Sequence, residues 1–338
     1  MRRTLPGLIV AAAVVSATLT ASAAGRALPR TRAGATEPDL IAYSFRDWRA
    51  NGGDDWEVFS FDPATGSERD LSRDPSCDDG YATWSPDRTM VAYTCMSLVK
   101  ESLKLLTTVG VDGSGRHVWL RTKQALGDAR FSPDGSRLAA MVGNTLELVT
   151  IADGSAHPIV PGGGGGSAGG VSWSPDGSRL AFTRPKQRGV WIVDRDGANL
   201  HELVASAALA GPLAWSPDGT TIAFEATRGR GIRLVSPDGS HLRLLTRSSG
   251  DRFFQISWSP DGSRLLYTTT AGSLTAIGAD GSGPRRLAPG ADAASWSPDG
   301  TQVAYAADLI GLREVNDDGT HRLQLSRVDQ VVSVAWSS

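Results

Sequence analysis

Only two cysteines, Cys77 and Cys95, occur in the 338 residues, and their spacing matches no metal-binding motif. Charge excess is also missing. Lys and Arg total 34 against 36 Asp and Glu, a formal net charge of -2, so bulk charge gives no reason to invoke nucleic acid or an anionic membrane. Long apolar runs are lacking too. The one apolar stretch, Leu8 to Val15, follows Arg2 and Arg3 and precedes the small-residue site Ala21-Ser22-Ala23. It is too short to span a bilayer comfortably, and the three features together read as an export signal over residues 1–23. Residues 24–38 read as a linker, and no later segment is apolar enough to cross a membrane.

Glycine and proline, by contrast, are abundant, and they recur at fixed places. The pattern aromatic-Ser-Pro-Asp-Gly-Ser/Thr begins at Trp84 (with Arg88 in place of Gly), Phe131, Trp173, Trp215, Trp258 and Trp296. A seventh aromatic, Trp336, ends the segment Val334-Ala335-Trp336. The spacing is roughly 40 residues, the length of a four-stranded propeller blade. In each copy Pro presets the backbone of a turn, Asp bonds its own backbone, and Gly accepts a left-handed conformation. Arg88, standing where Gly is expected, implies a strain of roughly 1 kcal/mol.

A short strand of small and apolar residues precedes each turn, and an alternating strand such as Arg179-Leu180-Ala181-Phe182 follows. A second hairpin turn completes each unit at Asp112-Gly113, Asp153-Gly154, Asp196-Gly197, Asp238-Gly239, Asp280-Gly281 or Asp318-Gly319. Segments Leu40 to Phe45, Trp56 to Phe61 and Glu68 to Leu71 look like a blade without its first strand, and Val332 to Trp336 like a first strand without its blade. Joined, they predict an all-β, seven-bladed propeller of four-stranded blades over residues 39–338. The C-terminal strand closes it onto the N-terminal blade. Six blades is the alternative count.

At Trp-Ser-Pro-Asp-Gly-Ser-Arg-Leu-Ala-Phe (173–182) and its copies the chain resembles the WD40-like (PD40) repeat of the TolB family, over essentially all of residues 39–338. The resemblance implies a propeller that works outside the cytoplasm as a partner of other proteins.

Candidate chemistry is sparse. Gly165-Gly166-Ser167-Ala168-Gly169 matches a nucleophile elbow, but it lies in a glycine run with no helix to follow and reads as a loop. His117, His157, His201, His241 and His321 each follow a second hairpin turn, on the outermost strand, where they cannot converge on a central axis. Asp-rich turns lack the remaining ligands of a calcium loop. The inner strands offer no evident set of carboxylates or imidazoles. Partner-binding candidates are therefore sought in the loops joining second to third strands. These are Trp48 in the long loop from Arg46 to Asp55, then Arg184, Lys186 and Arg188, then Arg228 and Arg230, with a solvated loop as the alternative.

The cysteines flank the hairpin at Ser85. If Ser85 pairs with Thr89, Cys95 lies opposite Asp79, two residues from Cys77, and a one-residue irregularity would bring the sulfurs closer. A disulfide and two separate thiols both stay open. The resulting expectation is an exported, monomeric, non-catalytic interaction module without cofactor, nucleic acid or membrane span, binding a protein in the cell envelope or outside it. The alternative is a small-molecule, glycan or peptide binder that uses the mouth of the central channel, and a propeller enzyme such as a lactonase or lyase is the less favoured third reading.

Overall fold

A computed structural model describes residues 39–47, 55–100, 102–162, 170–184, 189–205, 211–226, 231–247, 252–307, 311–328 and 331–337. They form seven antiparallel four-stranded sheets, and no helix occurs among them. The innermost strands of blades 2 to 7 are Cys77–Trp84, Leu126–Phe131, Val171–Trp173, Leu213–Trp215, Phe253–Trp258 and Ala291–Trp296. Blade 1 takes its innermost strand, Val331–Trp336, from the far end of the chain and pairs it with Ile41–Asp47, which continues to Asp55–Asp62 and Ser67–Asp70. Ile41 faces Trp336, and the Leu40 carbonyl accepts from the Ser337 N–H at 2.8 Å. The expected seven blades and their closure are what is observed.

The turns show why the repeat is spelled as it is. In blade 4 the Ser174 hydroxyl donates to Asp176 Oδ1 at 2.5 Å and accepts from the Arg179 N–H at 2.9 Å. The same Oδ1 accepts from the Ser178 N–H at 3.0 Å and its hydroxyl at 2.8 Å. One carboxylate therefore gathers the three donors that close the turn. These bonds hold the Asp176 carboxyl down to about 2 against an ordinary 3.8. Gly177 completes the turn at φ +67, and the residue that replaces it in blade 2, Arg88, is forced to φ 61.

In three blades the aromatic before the turn hydrogen-bonds to the blade before, whereas Trp215 Nε1 donates to the Gly219 carbonyl of its own turn at 3.1 Å. Trp84 Nε1 donates to the Ala335 carbonyl at 3.0 Å, Trp173 to Arg130 at 3.0 Å, and Trp258 to Ala214 at 3.1 Å. Each acceptor immediately precedes the aromatic of the blade before.

The apolar core accordingly lies between blades and not at the axis. Seven buried clusters occupy the seven interfaces, including one in which Ala304 and Leu312 of blade 7 meet Ile41, Tyr43 and Trp336 of blade 1. This arrangement corrects one expectation. The strand after each turn does not alternate: Leu180, Ala181 and Phe182 are all buried, because a middle strand has a neighbouring blade against both faces.

Two outcomes follow from the turns. Arg88→Gly relieves the left-handed strain and gives up a partly exposed ion pair with Asp39 at 2.9 Å, so a stability gain of up to about 1 kcal/mol is expected in denaturant unfolding. Asp176 has a depressed folded pKa, so its contribution is present above the unfolded value of 3.8 and is lost as pH falls through about 2. Asp176→Asn keeps the shape and removes the charge. Its melting temperature should fall below that of the unsubstituted chain at neutral pH, and the two should converge in strong acid.

Candidate functional site

With the core placed between blades, the axis is left as a channel lined by the innermost strands. Five of these strands carry a bulge, and each bulge sits three or four residues before the closing aromatic. Tyr81 and Ala82 oppose one partner between the pairs Gly80–Thr94 and Thr83–Ala92. Gly127 and Asp128 do so between Leu126–Val142 and Ala129–Ala140. Phe254 is the extra residue before Gln255, Asp292 the extra residue before Ala293, and Val332 the extra residue before Ser333. An added residue locally breaks the pleat and re-aims a side chain. The three-residue innermost strands of blades 4 and 5 keep an unbroken register.

Tyr81, Asp128, Phe254 and Asp292 from four of these bulges meet around a cavity of about 360 Å³, which Arg130, Gln255 and Ser333 also wall with small apolar neighbours. Tyr81 is 55% exposed and Phe254 57%, although both stand on innermost strands. Tyr81 takes φ 54, a left-handed conformation that an aromatic residue adopts only under constraint. Enclosure by the wall, then the Asp128 charge, push its phenol above the ordinary value. Arg130 Nη2 pairs with Asp128 at 3.1 Å.

Neighbouring polar groups fix the wall. Gln255 grips Ala294 of the next blade twice, donating to its carbonyl at 2.6 Å and accepting from its N–H at 2.8 Å. The Ser333 and Ser44 hydroxyls share a bond at 2.7 Å. Beside the Phe254 bulge, Glu225 is buried, which raises its pKa, and its Oε1 accepts from the Phe253 N–H at 3.2 Å. The cavity thus presents two rings, two carboxylates and one guanidinium on rigid strands. Among the described residues, no three His, Cys, Asp or Glu side chains in it approach closely enough to share a metal ion.

The sequence-derived candidates fall elsewhere. Trp48, Lys186, Arg188, Arg228 and Arg230 lie outside the described residues, as do the glycine run 163–169, the signal segment 1–23 and the linker 24–38. Arg184 is described and is 5% exposed. Its Nη2 donates to the Pro161 carbonyl at 3.0 Å, and its guanidinium lies over the Trp191 ring at 5.4 Å, so its charge is turned into the blade. All five histidines are exposed on or beside outermost strands.

Cys77 and Cys95 are bonded, with Cα atoms 5.4 Å apart. The register has a different origin from the one expected. The Ser85 N–H bonds the carbonyl of Met90, so Thr89 is not its partner, and the unbroken pairing would set Cys95 opposite Gly80, with Cys77 on the other face. The bulge at Tyr81 and Ala82 slips the register by one and brings Cys95 opposite Asp79.

The expectation that the inner strands lack carboxylates is overturned, since Asp79, Asp128 and Asp292 all stand on them. The missed signal was a large or charged residue interrupting a small-residue run just before an aromatic. The expectation of a non-enzyme falls with it, because solved propellers similar to this one include enzymes. An oligogalacturonate lyase in complex with manganese superimposes with a TM-score of 0.60 at 16% identity, over 86% of this chain and 85% of that one. A protein assigned as a 6-phosphogluconolactonase from Bacteroides uniformis gives 0.64 at 16%, over 89% and 100%. TolB from Acinetobacter baumannii gives 0.56 at 17%, over 88% and 82%. At such identities the likeness establishes the fold alone. No curated protein matches the sequence. The family model of the TolB beta propeller domain matches residues 104–338, well over half of the chain, and the chain belongs to that family.

Proposed function

We propose that the protein is an extracytoplasmic binding propeller that engages a protein partner at the face where its innermost strands begin. A side chain or short segment of the partner enters the channel cavity. The observation that carries this reading is the pair Tyr81 and Phe254, two aromatic residues more than half exposed on innermost strands and lining one cavity. Exposed rings on a rigid support lose little conformational freedom on binding and are favoured as interface anchors. The bulges that present them interrupt the ladder locally and re-aim these side chains.

Asp128 and Asp292 beside the rings favour a partner group carrying positive charge or several hydrogen-bond donors. The Cys77–Cys95 disulfide and the signal-like N-terminus support a site of action beyond the reducing cytoplasm. A glycan could use the same rings and carboxylates, so the test has to separate the two ligands.

The experiment is proximity labelling with the exported chain, followed by capture of the labelled neighbour on purified protein. The double variant Tyr81→Ala/Phe254→Ala should lose capture by about tenfold or more, with little change in unfolding, because both rings are more than half exposed. Unchanged capture by the double variant would exclude the cavity. Stabilisation of the purified chain by an oligosaccharide, with no labelled protein retained, would replace the protein partner with a sugar.

A further inference from the structure

The interface between blades 1 and 2 holds an unusual buried group. Asp79 is 1% exposed, and apart from the nearby Ser72 hydroxyl no hydrogen-bond partner reaches either of its carboxylate oxygens. A buried carboxyl left without a bond is costly, by about 1–3 kcal/mol or more. The Ser72 hydroxyl lies beside it but gives its proton to Glu57, while accepting from the Val58 N–H at 2.9 Å. The two sulfurs lie close by. A carboxylate oxygen of Asp79, Cys77 Sγ and Cys95 Sγ all lie within 4.8 Å of one another, and all three residues are buried. A disulfide has no proton to offer, so in the oxidised chain the carboxyl converges on groups that cannot satisfy it.

We propose that Cys77, Cys95 and Asp79 form a thiol-dependent zinc site that the disulfide closes. Two thiolates and one carboxylate are a ligand set that zinc accepts in tetrahedral geometry, with the fourth position left to water. Calcium would need six or more oxygens, and the sulfurs exclude that. Tetrahedral Zn–S bonds of about 2.3 Å place two sulfurs about 3.8 Å apart. Cysteines with Cα atoms 5.4 Å apart can reach that separation once the S–S bond is broken. The ligands converge because of the local register. The bulge at Tyr81 and Ala82 sets Asp79 opposite Cys95 and puts Cys77, two residues earlier, on the same face.

Opening the site takes two electrons. A dithiol or phosphine reductant is oxidised, the S–S bond breaks, and two protons complete the thiols. Zinc then displaces those two protons as it binds. The metal would give Asp79 the partner it lacks when the disulfide is formed.

The test uses the full chain, reduced anaerobically with a trialkylphosphine and titrated with Co²⁺ as a spectroscopic stand-in, then with Zn²⁺ in competition. One equivalent should bind with a thiolate-to-cobalt charge-transfer band, and the oxidised chain should show none. Cys77→Ser should abolish the band, and Asp79→Asn should weaken binding by about tenfold or more. Absence of the band in the reduced chain overturns the site, and equal binding by Asp79→Asn removes Asp79 from it. If reduction alone unfolds the propeller by circular dichroism, zinc has to restore the folded spectrum in the unsubstituted chain and not in Cys77→Ser. Failure to do so overturns the proposal equally.

Discussion

The contact between one blade's closing aromatic and the strand before it is the constraint on which the rest of this molecule depends. An indole such as that of Trp173 fills the gap between adjacent innermost strands and donates to the Arg130 carbonyl beyond it. The turn that follows then locks the strand end through Ser174 and Asp176. Trp84 and Trp258 make the same bond to the blade before them, so position and hydrogen bonding are set together at these three junctions. Because every blade leans on the one before, the stack is stable only if it returns to its start. Val331–Trp336 achieves that by pairing with Ile41–Asp47.

This way of packing decides where function can sit. Each blade buries both faces of its middle strands against its neighbours, so the hydrophobic stabilisation is distributed over seven interfaces. The channel lining contributes little to it. The bulges on innermost strands place Tyr81, Asp128, Phe254 and Asp292 at the wall of the channel cavity. Blades 4 and 5, with short unbroken innermost strands, keep the plain form. The cavity is therefore asymmetric, and its chemistry comes from blades 2, 3, 6 and 7.

The bulge at Tyr81 has two effects. It aims an aromatic into the channel, and it turns Cys95 and Asp79 toward Cys77 on the face packed against blade 1. A single inserted residue thus links the channel wall to the one covalent cross-link of the chain. Glu57 and Asp79 lie buried around Ser72 at that same interface, and burial raises the Glu57 pKa to about 7. The interface is more polar than the others, and it holds the join between the first residues of the propeller and the first complete repeat.

The repeat made the architecture readable from the sequence. A turn specified by Ser-Pro-Asp-Gly is a local interaction, settled within six residues, and seven aromatics at a common period leave few ways to arrange the strands between them. Blade count, strand order and the closing strand follow from local chemistry and spacing. The candidate site did not follow, because its residues are separated by up to some 250 positions and are brought together only when the ring closes. Register is decided in the same way. Whether Cys95 faces Asp79 or Gly80 depends on where a strand bulges, and the local turn chemistry does not specify that position. Local sequence determined the blades, and only the tertiary structure determined which of their side chains meet.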